Sequence, residues 1–356
     1  MILFNLSTLE ILRFVFNPTI KLFQWTAAKE SMRVLITGAT GFLGNNLVLR
    51  LIEQGHQVTA AVRLSSDLRP LAGMACDTVP LNLSDLSEIQ RSLEGIDVVI
   101  HAAAKIHLGL SEQESSFSAN VKSTDALAQA ARWKKIRMIY VSTVDTLAAA
   151  SPLSTNCEND IDPQKSEAAY VVSKRAAEQH FLSQVELGLD GVIVNPGFMI
   201  GPRDWKPSSG RMMISLWKQP ILFFAPGGGC SAVDVRDVAT GIVNAIDRAE
   251  TGQRYILAGT NLSYLELWRL MANIMGKRPP VRAMRNTLAN CVGMVGDGFG
   301  RIIGRETELN SISLKMGQMY HWYSSQKAID HLDYQISDLE VAIQDAWNWF
   351  NQHNYV

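Results

Sequence analysis

From Met32 to about residue 195 the chain alternates short continuous apolar runs with stretches whose apolar residues recur at helical steps. Met32-Arg33-Val34-Leu35-Ile36 has the branched, unbroken character of a strand buried on both faces of a sheet. Phe42, Leu43, Leu47, Val48 and Leu51 then predict a helix, closed by Gly55 before a second strand over residues 58–62. Thr78-Val79-Pro80-Leu81 reads as a third strand ending at Asn82-Leu83. Leu86, Ile89 and Leu93 stripe the helix that follows, capped by Ser84 or Asp85 and ended by Gly95. Residues 97–101 and 138–141 are further strands, with a helix carrying Asn120, Val121 and Leu127 between them. Such alternation predicts an α/β fold with a parallel sheet.

Beyond Gly197 the alternation lapses. Residues 203–210 read as a loop, and Met212, Met213, Leu216 and Trp217 mark a helix whose apolar residues are core or pocket wall. Residues 226–229 form a turn, residues 234–249 include a helix packing back onto the first half, and Tyr255-Ile256-Leu257 is a strand. The segment 286–322, with Trp322 and several methionines, is expected to cover a pocket and give it an apolar enclosure. The division expected is thus 1–31 as an apolar extension, 32–195 as one domain, and 196–356 mainly as a second, with segments near 232–260 returning to the first.

The extension is rich in apolar residues such as Ile2, Leu3, Phe4, Leu12, Phe14 and Phe16. Glu10, Arg13 and Pro18 interrupt them well short of the roughly 20 residues that span a bilayer. No small-residue cleavage site follows. Ser7-Thr8-Leu9-Glu10 resembles a capping box, which predicts a short amphipathic helix over about residues 8–16. Three readings stand: it docks on the body or a partner subunit, it lies on a membrane surface, or it precedes a true start at Met32. The last is favoured, so membrane contact is expected nowhere except through residues 1–31.

With 33 basic and 34 acidic residues in 356, the net charge of −1 and the lack of any dense basic run exclude nucleic acid as an expected partner. Cys76, Cys157, Cys230 and Cys291 are far apart, so they predict isolated thiols in a reducing compartment, the cytoplasm, and neither a disulfide framework nor a metal site.

The chemistry lies in two motifs. Thr37-Gly38-Ala39-Thr40-Gly41-Phe42-Leu43-Gly44 joins the first strand to the first helix. Glycines three apart allow a tight turn, close approach of backbone N–H groups to a pyrophosphate, and packing of helix on strand; the helix dipole favours the anion. Gly38, Thr40, Gly41, Phe42, Leu43 and Gly44 are therefore candidate cofactor residues. At the end of the second strand Arg63 stands where an acid would bind a ribose hydroxyl, and Ser65, Ser66 and Arg69 are near. An arginine there suits a 2′-phosphate, so NADP(H) is preferred and NAD(H) stays open. Ala102-Ala103-Ala104 lets a dinucleotide lie against backbone at a strand end.

The second motif is Tyr170-Val171-Val172-Ser173-Lys174, whose tyrosine and lysine share a helix face. A new alkoxide needs a proton, and a neighbouring ammonium brings a tyrosine's pKa down from near 10. Thr143, or less favourably Ser142, would orient the carbonyl oxygen.

These residues together resemble an extended short-chain dehydrogenase/reductase of the NAD-dependent epimerase/dehydratase family. The resemblance runs from Met32 to the C-terminus through the glycine turn, His101-Ala102-Ala103-Ala104, Asn120-Val121, Val141-Ser142-Thr143, Tyr170 to Lys174 with Ala177-Glu178, Asn195-Pro196-Gly197 and Gly201-Pro202. It implies a Rossmann doubly wound parallel sheet with a smaller α/β substrate-binding domain at the C-terminal side. It makes Tyr170 the acid/base, Lys174 its activator and ribose ligand, and Thr143 the oxyanion partner. Pro196 and Phe198 would lie by the nicotinamide, Asn82 and Leu83 by the adenine, and Asn120 near the cofactor. Asn82 stands where the family has an aspartate, and an amide still hydrogen-bonds a base.

Residues 62–69, 195–203 and 254–259 resemble the dihydroflavonol-4-reductase-like branch, which includes cinnamoyl-CoA reductases and hopanoid-associated sugar epimerases. Departures narrow the activity. Val144 and Asp145 replace the Asp-Glu pair of sugar-nucleotide dehydratases, and Cys230 stands in place of an epimerase's diphosphate-binding arginine, although Arg203, Arg211 or Arg282 would serve as substitutes. The expected activity is hydride transfer between NADP(H) and a carbonyl or secondary alcohol of a small apolar substrate. A nucleotide-sugar 4-epimerase holding NAD and a non-catalytic NADP(H)-binding regulator are the alternatives. A homodimer is compatible with the resemblance.

Overall fold

Alternate residues of the first strand serve opposite sides of the molecule, as the period of two requires. In a computed structural model that describes residues 30–106, 113–162, 166–219, 223–304, 306–307 and 309–356, Val34 and Ile36 join one apolar cluster and Leu35 another. The helix expected over residues 8–16 lies outside the described residues.

The first half comprises β1 (Arg33–Thr37), α1 (Phe42–Glu53), β2 (Gln57–Val62), β3 (Asp77–Pro80), α2 (Leu86–Ser92), β4 (Val98–His101), α3 (Gln113–Phe117), α4 (Ser123–Lys134), β5 (Arg137–Val141), α5 (Ala169–Glu186) and β6 (Gly191–Pro196). The second comprises β7 (Phe198–Ile200), α6 (Arg211–Lys218), β8 (Phe224–Ala225), β9 (Gly229–Asp234), α7 (Val235–Arg248), β10 (Arg254–Leu257), β11 (Thr260–Ser263), α8 (Tyr264–Ile274), β12 (Arg282–Ala283), α9 (Asn286–Ile303), α10 (Ser311–Gly317), β13 (Tyr320–His321), α11 (Gln326–Leu332) and α12 (Leu339–Gln352).

The main sheet has seven parallel strands in the order β3-β2-β1-β4-β5-β6-β10. β1 lies between β2 and β4, so the winding reverses there and opens a crevice at the carboxyl ends of the strands, where such sheets bind ligands. Leu47 and Leu51 of α1 and Ile242 and Ile246 of α7 cover one face with Val34 and Ile36. Leu127 and Ala131 of α4 and Phe181 of α5 cover the other with Leu35. β10 and α7 come from the second half of the chain, so the sheet that positions the crevice is completed only after residue 250.

A smaller sheet places β9 between β11 and β13, with β7 also paired to β9. Beneath it Met213, Leu216, Leu267, Met271, Ile343, Trp349 and Phe350 form the core between α6, α8 and α12. The whole of Met32–Val356 is one compact unit.

Two local readings change. The helix bearing Asn120 is not regular: Ser118–Lys122 is a π-helical turn between α3 and α4, a widening that helices adopt where a side chain must be re-aimed. The enclosing role expected of residues 286–322 also divides. The part from Tyr320 to Tyr323 braces the smaller sheet: Trp322 Nε1 donates to Leu262 O at 3.1 Å and Tyr323 Oη to Ala148 O at 2.9 Å. On α9, by contrast, the large apolar side chains face solvent, with Met294 68% and Val295 71% exposed.

Candidate active site

The glycine turn is shaped by steric necessity. Gly38 has φ +75°, and a Cβ there would lie 2.6 Å from Ala103 N; one on Gly44 would fall on the Gly38 carbonyl. Side chains are thus excluded where β1, the first turn of α1 and the exit of β4 converge. Gly41 precedes α1 without a side-chain cap, and no acid sits in the helix's first turn. Gly41 N donates to Gly38 O at 2.9 Å and Asn45 N to Gly41 O at 3.0 Å, and between them the N–H groups of Phe42, Leu43 and Gly44 are the orphan donors of a helix start. Small backbone-lined space with aimed amides fits a dinucleotide's pyrophosphate. Phe42 and Leu43 have only backbone groups to offer there, since their side chains pack into the core. Ala102, Ala103 and Ala104 lie opposite, progressively more exposed.

Behind the turn runs a directed chain of hydrogen bonds. Ala103 N donates to Thr37 Oγ1 at 3.3 Å, and Thr124 Oγ1 donates to Asn120 O at 2.7 Å. His101, fully buried, bridges them through Nδ1 to Thr37 Oγ1 at 2.7 Å and Nε2 to Thr124 Oγ1 at 3.1 Å. Thr124 spends its proton on Asn120, so Nε2 carries the histidine's hydrogen and Nδ1 accepts. Burial, and secondarily Lys174, pushes the His101 pKa down to about 3, so this link stays neutral.

Asn120 Oδ1 accepts Lys105 N at 2.7 Å, and its Nδ2 donates to Lys105 O at 3.0 Å and to Ser173 Oγ at 2.9 Å. Its side chain thus ties the 105 loop to α5. Ser173 Oγ in turn donates to Tyr170 O at 2.8 Å.

At the mouth of the sheet, Thr143 Oγ1 accepts from Asp145 N at 3.2 Å and donates to Asp145 Oδ2 at 3.1 Å. The hydroxyl hydrogen expected to meet a carbonyl oxygen is therefore turned toward a carboxylate. Ser142 Oγ is buried and has no hydrogen-bond partner among the described residues. Tyr170 is half-buried. Burial, and then the Asp145 charge, raises its pKa well above 10, while a hydrogen bond with Thr143 opposes this. The lowering expected from Lys174 is not the dominant influence among the protein's own groups. Lys174 is 2% exposed, donates from Nζ to Val141 O at 2.6 Å, and lies 4.6 Å from the Tyr140 ring centre. Burial pushes its pKa down to about 7.

Sequence reading missed Asp145 and His321. Asp145 Oδ1 lies 3.1 Å from His321 Nδ1, within ion-pair distance when that ring is protonated, and its charge reaches Cys230, Tyr264 and Tyr323 as well as Tyr170. A carboxylate thus stands among aromatic residues, of which Tyr264 pairs edge-to-face with Phe198. Pro196 is buried at the end of β6.

Of the donors expected around a 2′-phosphate, Arg69 is committed to Asp67, with Nη2 to Oδ2 at 2.7 Å, and Ser66 Oγ accepts Arg63 N at 3.0 Å. Arg63 is exposed and pairs with no carboxylate among the described residues. Asn82 is exposed and its Oδ1 accepts Ser84 N at 3.0 Å, while Leu83 is half-buried beside it. Arg203, offered as a diphosphate ligand, instead holds the first turn of α1: Nε donates to Asn45 Oδ1 at 2.9 Å and Nη2 to Pro70 O at 2.8 Å.

A buried cluster fixes these strand ends. Glu178 Oε1 accepts from Arg254 Nη1 at 2.7 Å, Thr146 Oγ1 at 2.9 Å and Asn195 Nδ2 at 3.1 Å. Asn195 Nδ2 also donates to Thr143 O at 2.8 Å, and the single Thr146 hydroxyl hydrogen has Thr143 O, at 2.9 Å, as its alternative acceptor.

A family model described as the NAD dependent epimerase/dehydratase family matches residues 34–258. A protein named putative dihydroflavonol 4-reductase from a Synechocystis species is 32% identical over 339 residues, 93% of this chain and 98% of its own. Sterol demethylase protein B of Methylococcus capsulatus is 27% identical over 329 residues, 91% of this chain and all of its own. The crystal structure of gox2253 superposes with a TM-score of 0.81 at 31% identity, covering 92% of this chain and all of that one.

Replacing Arg254 with Ala leaves the Glu178 carboxylate buried without its cation. The expected loss is about 3–5 kcal/mol in urea unfolding; a loss under about 1 kcal/mol would show that the cluster does not hold the strand ends.

Proposed function

The chain belongs to the NAD dependent epimerase/dehydratase family and is an NAD(P)-dependent oxidoreductase, and from that premise we propose that it reduces a carbonyl of a small, largely apolar molecule with NADP(H). The observation that carries this reading is the gathering of Tyr170, Thr143 and Lys174 at the carboxyl ends of the strands: Tyr170 is hydrogen-bonded with Thr143, and Lys174 stands one helical turn away with Nζ on Val141 O. Burial and then the Asp145 charge raise the Tyr170 pKa, so the residue starts with the proton that reduction consumes. NADP(H), when bound, supplies the hydride. Tyr170 Oη delivers the proton to the oxygen as charge develops there, and Thr143 turns its hydroxyl from Asp145 to that oxygen. Lys174, one helical turn away and poised near neutrality by burial, restores the proton to Tyr170.

The names of the two relatives, a dihydroflavonol reductase and a sterol demethylase protein, support a polycyclic, mostly carbon substrate. Nucleotide-sugar epimerisation has weaker support: Cys230 is 2% exposed with its thiol pKa raised by burial, and Arg203 is spent on α1.

Three outcomes test the reading. Tyr170→Phe is expected to abolish carbonyl-dependent NADPH oxidation by at least a hundredfold while NADPH fluorescence titration still shows binding; retention of most of the rate removes Tyr170 as the donor. Arg63→Ala is expected to raise the NADPH dissociation constant about tenfold and leave that for NADH within twofold; equal effects on both mean that Arg63 reads no 2′-phosphate. Asp145→Asn removes the charge that holds the Tyr170 pKa up, so the phenol deprotonates at lower pH. Reduction needs the phenol, and its rate falls as pH rises through that pKa. The alkaline limb of kcat/KM for reduction is therefore expected at lower pH in the variant; an unmoved limb separates Asp145 from the donor.

A further inference from the structure

α9 is an amphipathic helix with its faces exchanged. Its buried side is made of small residues: Ala289, Gly293 and Gly300 are the buried positions, and a Cβ on Gly293 would lie 2.8 Å from Ser311 Cα. Gly296 is closed in the same way by the Leu309 carbonyl. The large apolar residues occupy the opposite side. Leu288, Val295, Phe299 and Ile302 recur at three- and four-residue steps or multiples of them, and are 38%, 71%, 56% and 83% exposed. The apolar surface continues past the helix, because β8 pairs with β12 and brings exposed Phe223, Phe224 and Val281 together. A patch built this way on a soluble body marks a docking surface.

The charge around the patch selects its occupant. Residues 277–308 carry Lys277, Arg278, Arg282, Arg285, Arg301 and Arg305 against Asp297, Glu306 and Glu308, a local excess of positive charge in a chain whose net charge is −1. Arg278, Arg282, Arg285 and Arg301 pair with no carboxylate among the described residues. Asp297 accepts the Ser311 amide at 3.1 Å. Arg285 and Arg301 stand at the two ends of the apolar stripe, where long cationic side chains reach phosphate-level groups while the stripe is immersed. No described helix is long and apolar enough to cross a membrane.

We propose that α9, with Phe223, Phe224 and Val281, seats the enzyme on the surface of an anionic lipid bilayer, the helix lying in the interfacial plane. This departs from the expectation that any membrane contact is confined to residues 1–31, and it stands independently of the reaction assigned to Tyr170. An apolar substrate dissolved in the bilayer would then meet the substrate-binding half of the enzyme at the surface that holds it.

Flotation of the full-length protein with vesicles of phosphatidylglycerol and phosphatidylcholine, against phosphatidylcholine alone, tests the proposal. Binding is expected to the anionic vesicles, at least tenfold weaker on neutral ones, and falling with added salt. F299S/I302S is expected to weaken binding at least tenfold on anionic vesicles. R285Q/R301Q is expected to weaken it several-fold at low salt only. These positions are exposed, so both variants keep the parent melting temperature and NADPH binding; R285Q/R301Q serves alone should the apolar pair disturb folding. Absence of flotation overturns the proposal. So does flotation unchanged in both variants, which moves the contact elsewhere, to residues 1–31 included. A concentration-dependent dimer that dissociates in F299S/I302S, without vesicle binding by the parent, assigns the face to a second copy and overturns it also.

Discussion

The carboxylate of Glu178 is the point on which the catalytic geometry rests. It sits on α5 two turns beyond Tyr170 and receives donors from β6, β10 and the segment after β5. A buried ion pair is not in itself a source of stability, since desolvation offsets much of its attraction. What it supplies here is registry. Glu178, Arg254, Asn195 and Thr146 tie the helix that carries Tyr170 and Lys174 to the strand end that carries Thr143, by way of a strand contributed by the second half of the chain. The active-site helix is thus clamped from both sides, by this cluster at one end and by the Asn120 to Ser173 bond at the other.

The elements of the fold that follow from local rules were legible in the sequence. Alternation in β1 and helical spacing in α1 are properties of neighbouring residues, and the glycine turn is demanded by backbone collision at Gly38 and Gly44. What depends on partners far away in the chain was not legible. Asn120 was read from its motif as a residue near the cofactor; its hydrogen bonds to Lys105 and Ser173, which tie a loop to α5, come from chain segments that no local rule brings together. Arg69 and Arg203 looked like free cations, and both are committed to nearer acceptors. Asp145 was noticed only as a departure from a dehydratase pattern, because its meaning comes from His321, brought up by the pairing of β13 with β9. Methionine and aromatic residues in 286–322 suggested an enclosure, since large apolar side chains normally face inward; the glycines of α9 reverse that rule by taking the inner face themselves.

Two histidines near the site have opposite surroundings. His101 is held between hydroxyls, with no carboxylate among its hydrogen-bond partners, and burial keeps it neutral. That neutrality matters because Lys174 lies close enough to act on it. A second cation beside a buried ammonium would push both groups toward losing a proton. A neutral histidine provides rigid hydrogen bonding between β4 and α4 without adding charge to the helix face that bears Lys174. His321, by contrast, has its Nδ1 3.1 Å from a carboxylate oxygen of Asp145.

The placement of Asp145 gives the pocket its direction. A carboxylate within reach of a phenol opposes formation of the phenolate, whatever the lysine does on the other side. Thr143 joins the two effects, because the hydroxyl that donates to Asp145 is the same one that hydrogen-bonds Tyr170. While Asp145 is charged, Thr143 is drawn toward it and the tyrosine retains its proton. In the reduction proposed above, a carbonyl oxygen gaining negative charge would compete with Asp145 for the Thr143 hydrogen, whereas a neutral carbonyl would compete poorly with a carboxylate; that difference between ground and transition state is the kind on which rate depends.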